Sequence, residues 1–228
     1  MKSNFIKGFS ATIPVGLSVC AYGLVLGVLA YSKGVTFFQL FTMDLITFAG
    51  SAQLLMVELW RDPLPFSEIL FAVFAINLRY LLIGASLTPL FKNTSIFEKM
   101  ALMHLVADEN WAVTMSRLKE EKITPYFLFG GGICLVIFWL LSTLGGHTFG
   151  FIISDPYSVG LDFVIIIIFT ALVANFYDGK DSIFPWIVAA VFSYLSFLFI
   201  PGKWYIVTGG LIGALVYSFQ KYFKEDKK

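Results

Sequence analysis

Long apolar segments separated by short polar breaks follow one another along the whole chain. Seven of them meet or approach the roughly 20 mostly apolar residues that a helix needs to cross a bilayer. They are residues 11–31, 36–58, 66–90, 124–147, 160–177, 183–200 and 205–219. The breaks combine charged and turn-forming residues, such as Lys33-Gly34 and Arg61-Asp62-Pro63, as membrane boundaries do. The pattern predicts an all-α, polytopic transmembrane helical bundle forming one domain over residues 1–228.

An eighth segment, residues 98–118, is apolar at first but places Asp108, Glu109 and Asn110 at its centre. It is either a surface helix or a spanning helix whose acids face a cavity. Lys and Arg residues concentrate on the cytoplasmic side of membrane proteins. Eight spans with the N-terminus inside place eleven of them inside and four outside, and seven spans with the N-terminus outside give the same split. Both place the C-terminus in the cytoplasm. We favour eight spans because an acid cluster suits a cavity better than lipid.

Composition supports the membrane assignment and excludes other classes. The chain is 58% hydrophobic and 14% charged, with a mean hydropathy of +0.81, whereas soluble domains average about 45–50% apolar and about 25% charged residues. A net charge of +1 without a basic stripe argues against nucleic-acid binding. Cys20 and Cys134 lie inside apolar segments and indicate neither a disulfide framework nor a metal site. Lys2 and Lys7 precede the first segment without a later cleavage site, so we expect a retained helix.

Arg79 is the strongest candidate for a functional residue inside the membrane. An ionised side chain at the centre of a bilayer costs roughly 2.5–3.5 kcal/mol on insertion scales and therefore faces the bundle interior. Arg79 lies about twelve residues from either end of its segment, roughly 18 Å along a helix, too deep for the side chain to reach the surface. We expect it to face a cavity or to pair with Asp108 or Glu109. A purely structural ion pair that orients two helices is the alternative.

His104 and Asp108 are four residues apart, so one continuous helix would place them on one face, with Trp111 extending that face. Such a pair can relay protons, because histidine titrates near neutral pH. A fixed hydrogen bond near the membrane interface, or a helix lying on the surface, remains an equal alternative.

The second segment places Asp44, Thr47, Ser51 and Glu58 along one stripe around the run 50–53, Gly-Ser-Ala-Gln. Small residues either let another helix approach closely or let this helix break. A broken helix exposes backbone groups that transporters use to bind zwitterions. The predicted substrate-binding residues, which include the polar groups of the third segment, are Gly50, Ser51, Gln53, Asn77, Arg79 and Ser86.

A faint internal similarity links residues 71–77 with residues 169–175, since both are apolar heptapeptides that end in Asn. Many transporters are built from internal repeats. Apolar helices also resemble one another by chance, so a repeat is only one reading.

Three local patterns together resemble the AzlC-like proteins. These patterns are Gly50-Ser51-Ala52-Gln53, then Asn77-Leu78-Arg79 leading into Gly84-Ala85-Ser86-Leu87-Thr88-Pro89, and finally Asp108-Glu109. The resemblance is clear over residues 14–115, whereas Asn110-Trp111 and Ile166 depart from the pattern. It implies the large permease subunit of an exporter of valine, leucine, isoleucine and possibly methionine. It also implies a small AzlD-like membrane partner.

The resemblance and the polar residues favour a secondary transporter in the cell (inner) membrane, with no enzymatic activity and no cofactor. No Walker motif is present, so export would draw on an ion gradient. The candidate proton-coupling residues are His104, Asp108 and Glu109, because burial favours a neutral carboxyl and a nearby Arg79 favours a carboxylate. A non-transporting scaffold or receptor subunit is the alternative. An intramembrane hydrolase using Ser86 with His104 or His147 is a weaker one, since nothing marks an oxyanion hole.

Overall fold

The computed structural model describes residues 2–92, 94–153, 179–200 and 204–225, together with isolated positions between 158 and 177. Every regular element formed by these residues is helical. Four stretches are long and apolar enough to cross a membrane, namely Lys2–Ser32, Phe66–Ser86, Pro125–Ile152 and Gly179–Phe199. They correspond to the first, third, fourth and sixth predicted segments. The chain is therefore a multi-pass helical membrane protein.

Helices α1 (Lys2–Ser32) and α8 (Pro125–Phe149) form a tightly packed pair. Gly8 meets Phe127 near their N-terminal ends, and Gly27 meets Thr143 near their C-terminal ends, so the two helices run in the same direction. A Cβ added at Gly27 would collide with the Thr143 carbonyl oxygen. Only glycine lets the two backbones approach this closely, so small residues form the contact between α1 and α8.

The predicted second segment is not one spanning helix. It forms α2 (Phe37–Ile46) and α3 (Gly50–Glu58), separated by residues 47–49, of which Ala49 is extended. The chain then turns back, because Lys33 beside the end of α1 lies 3.9 Å from Glu58 at the end of α3. We call this pair hairpin 1 (residues 37–58). Ten residues of α2 span about 15 Å, so the tip of hairpin 1 reaches about half of a roughly 30 Å hydrocarbon core.

A long helical stretch follows and runs the full length of the bundle. It consists of α4 (Phe66–Asn77) and α5 (Arg79–Ser86), with an irregular turn at Leu78. Its beginning packs beside α3, and the residues just after α5 pack with Leu128 near the start of α8. Arg79 therefore lies near the middle of the bundle.

The ambiguous eighth segment forms a second hairpin, which enters from the opposite end. It consists of α6 (Ile96–His104) and α7 (Asp108–Glu120). Glu98 accepts a hydrogen bond from Tyr126 at 3.3 Å, and Glu121, just after α7, pairs with Lys7 at 3.1 Å. Both ends of this segment thus lie where α1 and α8 begin. We call it hairpin 2 (residues 96–120); it is neither a surface helix nor one continuous span.

The C-terminal part forms α9 (Ile183–Phe199) and α10 (Trp204–Glu225), which pack antiparallel. Ser193 donates to the Tyr205 carbonyl at 2.8 Å, and the Trp204 ring contacts Phe71 of α4 at a centroid distance of 4.7 Å. The predicted segment 160–177, the heptapeptide 169–175 and the C-terminal lysines 227 and 228 lie mainly or wholly outside the described residues.

Candidate functional site

The tips of the two hairpins meet in the middle of the bundle. His104 at the end of α6 lies 2.8 Å from the Leu45 carbonyl oxygen of α2. A cavity of about 40 Å³ lies beside this contact, with room for about three water molecules. Its lining combines both tips with α1, α5 and α8: Val19, Tyr22, Phe48, Gly50, Ser51, Arg79, Tyr80, Ala107, Asp108, Glu109, Leu135 and Trp139.

Arg79 connects the two tips. Its Nη1 forms an ion pair with Asp108 of hairpin 2 at 2.6 Å, and its Nη2 donates to the Ser51 hydroxyl of hairpin 1 at 2.7 Å. The predicted pairing of Arg79 with an acid of the 98–118 segment is confirmed. The side chains of Arg79 and Asp108 are 21% and 24% exposed, so the pair faces the cavity rather than lipid. The buried Nε of Arg79 has no hydrogen-bond partner among the described residues.

Two further polar groups face the same space. The buried hydroxyl of Tyr22 has no hydrogen-bond partner within the described part of the chain. Glu109 lies close enough to Asp108 and Arg79 for their charges to interact. Sequence reasoning missed Tyr22, because one tyrosine in an apolar helix carries no distinguishing signal. Only the packing of α1 against the hairpin tips brings its hydroxyl among ionic groups.

Trp139 of α8 forms one wall of the cavity and links it to a buried polar cluster. Its ring packs edge-on against Tyr22 at 5.2 Å. Its indole nitrogen donates to Asp44 at 3.0 Å and to the Gln53 side-chain oxygen at 2.8 Å. Gln53 in turn donates to the carbonyls of Met43 and Thr47. Gln53 is fully buried, so its role is to close the tip of hairpin 1 rather than to line the cavity.

The remaining predicted residues lie around the cavity but not in its lining. Asn77 is two residues before Arg79, and its side-chain oxygen is buried without a partner among the described residues. Ser86 accepts a hydrogen bond from Trp111 and donates to the Ile83 carbonyl. His104 is exposed and points to hairpin 1. The expectation that His104 and Asp108 share one helix face is wrong, because the helix ends at His104 and a new one begins at Asp108.

The geometry also weighs against the hydrolase alternative. Ser86 bonds Trp111 and a backbone carbonyl, while the two histidines bond the carbonyls of Leu45 and Val35. A nucleophilic serine needs a base within hydrogen-bond reach, and these contacts hold neither histidine at Ser86.

Asn110, which departs from the expected pattern, has a clear structural role. Its side chain accepts from the Ala107 amide at 2.8 Å and donates to the Leu105 carbonyl at 2.9 Å. It thereby satisfies backbone groups freed by the break between α6 and α7. Trp111 contacts α5 through Ser86 at 2.8 Å, so both departures stabilise hairpin 2.

Comparison with known proteins supports the family resemblance that the sequence patterns indicated. The AzlC protein family matches residues 14–153, a range that contains both hairpins and every residue lining the cavity. The chain is 21% identical over 204 residues to the branched-chain amino acid transport protein AzlC of Bacillus subtilis, covering 89% of this chain and 80% of that protein. It is 23% identical over 223 residues to an uncharacterized membrane protein of Haemophilus influenzae, covering 96% and 90%. No solved structure matches it.

Proposed function

The chain belongs to the AzlC protein family, and on that premise we propose that it is the large permease subunit of a secondary transporter exporting branched-chain amino acids. Valine, leucine and isoleucine are the expected substrates, with methionine as a further one. The observation that supports this best is the cavity at the hairpin tips, where one guanidinium and two carboxylates stand beside apolar side chains. A zwitterion with an aliphatic side chain matches that combination.

The substrate carboxylate binds Arg79 and the Tyr22 hydroxyl, two groups with unused hydrogen-bonding capacity. The substrate ammonium binds Glu109. The aliphatic side chain lies against Val19, Phe48 and Leu135, which also line the cavity. The cavity of about 40 Å³ is far below the roughly 300–1,000 Å³ of typical ligand clefts. The hairpins must therefore separate before an amino acid can enter.

Export is coupled to the proton gradient through the acids beside Arg79. When Asp108 is ionised, it holds Arg79 at 2.6 Å. A proton on Asp108 releases the guanidinium to the substrate carboxylate, and loss of the proton recaptures it. Glu109 is the second candidate carrier because it lies beside both groups. His104 has no place in this route, since it lies outside the cavity lining.

The hairpins also suggest a membrane topology. If hairpins 1 and 2 do not cross, the eight segments make six crossings, counting residues 160–177 as one of them. Both termini are then cytoplasmic. Only Lys33, Arg61 and Lys203 lie outside, and the other twelve Lys and Arg residues apart from Arg79 lie inside. This twelve-to-three split follows the positive-inside rule more closely than eleven to four, and it supports an inner-membrane protein with a cytoplasmic C-terminus.

Single-cysteine reporters test this topology. Cys20 and Cys134 are first replaced by serine, and cysteine is then introduced at Lys33, Glu58, Lys7 or Glu121. A membrane-impermeant thiol reagent applied to intact cells should label positions 33 and 58 but not 7 and 121. Labelling of 33 without 58 would mean that residues 36–58 cross the membrane after all.

A small AzlD-like membrane subunit is the expected partner. The support is the family resemblance, together with many exposed aromatic side chains on α9, such as Phe184 and Phe199. The chain should be purified alone and with the small membrane protein encoded beside it. Full transport by the isolated chain would remove the partner from the proposal.

Leucine transport into proteoliposomes tests the proposed function directly. Tyr22→Phe keeps the ring against Trp139 but removes the hydroxyl, so apparent affinity for leucine should fall about tenfold or more, the usual effect of losing a hydrogen bond to a charged group. Tyr31→Phe on the same helix is the control, because Tyr31 packs on His147 outside the cavity. Leucine flux no higher than in empty liposomes, with the small subunit present, would contradict the proposed function.

A further inference from the structure

Asp44 is a buried acid outside the cavity that the proposed mechanism does not use. It lies near the end of α2 and is 2% exposed. Its Oδ1 accepts from the Trp139 indole at 3.0 Å, and its Oδ2 accepts from the Thr143 hydroxyl at 2.7 Å. Both donors are neutral. None of the ion pairs formed by the described residues involves Asp44. A buried charge held by neutral donors alone is costly, which calls for an explanation.

The hydrogen bonds around Asp44 are complete in both protonation states. When Asp44 is ionised, Thr143 donates to its Oδ2. When Oδ2 is protonated, it donates to the Thr143 hydroxyl, which can instead donate to the Trp139 carbonyl at 2.9 Å. The indole N–H of Trp139 keeps an acceptor in either state, because Gln53 lies 2.8 Å away. Binding a proton at Asp44 therefore leaves no polar atom of this cluster without a partner.

The two states differ in how strongly hairpin 1 is attached to α8. Asp44 belongs to α2, whereas Trp139 and Thr143 belong to α8. Hydrogen bonds to an ionised group are roughly twice as strong as neutral ones. The ionised carboxylate thus holds hairpin 1 against α8, and protonation weakens both contacts together. Phe48, Gly50 and Ser51 of hairpin 1 also line the cavity, so a loosened hairpin 1 moves that part of the lining.

We propose that Asp44 binds a proton during each transport cycle and that its charge locks hairpin 1 against α8, making hairpin 1 the gate on one face of the membrane. The proton comes from water on one side when the hairpin opens and returns to water on the other side when the cavity faces that side. The gating part rests on the proposed transport function. The proton-binding part does not.

Six other titratable groups on elements packed around α2 are not hydrogen-bond partners of Asp44. They are Tyr22 and Lys33 of the α1 region, Glu58 of α3, His104 of α6, and His147 with Cys134 of α8. Glu58 pairs with Lys33 at the open end of hairpin 1, opposite its tip. His104 and His147 each bond a backbone carbonyl. Asp44 is therefore the acid whose charge bears directly on the contact between hairpin 1 and α8.

Infrared difference spectra of the purified protein, recorded between acidic and neutral buffer, test proton binding without any transport. Protonation of a carboxylate produces a carboxyl C=O band. Wild type should show a band that Asp44→Asn lacks and that the control Asp108→Asn keeps. A wild-type spectrum from which Asp44→Asn removes nothing would overturn the proposal. If Asp44→Asn is lost from the membrane, Thr143→Val decides: it leaves Asp44 in place but removes the Oδ2 partner, so the band should shift in frequency. An unshifted band would overturn the proposal.

Transport assays test the gate. Asparagine resembles the protonated acid in shape and hydrogen bonding but cannot change charge. In proteoliposomes, Asp44→Asn should still exchange leucine without a gradient, while accumulation driven by an imposed proton gradient falls to the level of empty liposomes. Its exchange rate should also depend less on pH than that of wild type, with the remaining dependence coming from Asp108 and Glu109. Uphill accumulation by Asp44→Asn at the wild-type rate would overturn the gate. If wild type shows the infrared band of protonated Asp44 but transports no leucine, the proposed function is wrong, whereas the proton-binding site at Asp44 is still supported.

Discussion

Hairpins 1 and 2 share one construction but differ in the chemistry at their tips. In each, an extended residue separates two short helices, and a buried carboxamide, Gln53 or Asn110, binds the carbonyls at the break. Hairpin 1 offers Arg79 a neutral hydroxyl and keeps its own acid, Asp44, against α8. Hairpin 2 offers Arg79 the carboxylate of Asp108. The difference teaches that charge holds hairpin 2 to Arg79 in the cavity, whereas charge holds hairpin 1 to α8.

The order of elements repeats with inverted direction. Hairpin 1 is followed by the long stretch 66–86, and hairpin 2, which enters from the other end, is followed by α8. Inverted repeats of this kind place a binding site at their interface in many transporters. The repeat suggested by residues 71–77 and 169–175 pairs different parts of the chain, and its second half lies mainly outside the described residues.

Removing the residue that joins the two tips should have the largest effect. Arg79→Gln leaves Asp108 without its cation and cuts the contact to Ser51. Truncating one partner of a buried charge pair costs about 2–5 kcal/mol, so leucine transport should fall by roughly 30-fold or more. Arg61→Gln is the control, since Arg61 pairs with Glu68 at the surface. Wild-type export by Arg79→Gln at normal protein levels would contradict this comparison, because transport would then not depend on the contacts between the guanidinium and the two hairpin tips.

The two partners of Arg79 should differ in importance. Asp108→Asn removes the charged partner, and the expected loss of about 1.5–3 kcal/mol corresponds to roughly a tenfold to hundredfold fall in transport. Ser51→Ala removes a neutral partner, and the typical value of about 1 kcal/mol predicts a fall of roughly fivefold. Initial rates of leucine uptake measure both. Equal losses in the two variants would show that the charged contact to hairpin 2 is no more important for transport than the neutral contact to hairpin 1.

The carboxamides should stabilise their hairpins to a similar extent. Gln53→Leu leaves the carbonyls of Met43 and Thr47 without their side-chain donor, and Asn110→Leu does the same to Leu105. Each lost hydrogen bond costs about 0.5–1.5 kcal/mol, so thermal unfolding of the detergent-purified protein should shift downward in both. Gln39→Leu, which affects only the exposed cap of α2, is the control. A variant that melts like wild type would show that its hairpin tip is held by other contacts.

The ion pairs at the open ends of the hairpins, opposite their tips, should contribute least to stability and transport. Lys7 and Glu121 are 55% and 37% exposed, and Lys33 and Glu58 are 3.9 Å apart. Pairs of this kind contribute about 0–1 kcal/mol. Lys7→Ala and Lys33→Ala should therefore leave thermal stability and leucine uptake close to wild type. A large loss of stability or uptake in either variant would mean that contacts at the open end, and not at the tip, hold that hairpin in place.

Sequence reasoning identified the membrane class and the ionic residues but misjudged how two segments run. Residues 36–58 and 98–118 are each long enough for one span, and hydropathy counts apolar residues without showing where the chain reverses. The reversals at residues 47–49 and 105–107 depend on extended residues and on carboxamides that bind freed carbonyls. Such contacts have no period in the sequence. A break near Gly50 was one of two alternatives that the small residues left open, and the reversal of the chain there was not predicted.

The sequence by itself determined that this chain is a helical membrane protein with Arg79 in its interior, because an uncompensated charge cannot remain in lipid, and it indicated Asp108 and Glu109 as candidate partners. Only the tertiary structure decided which groups share the cavity. It added Tyr22 and Trp139, moved Gln53, Ser86 and His104 out of the lining, and placed Asp44 against α8. The reason is that contacts between helices depend on their direction and rotation, and a chain that reverses twice inside the membrane changes both.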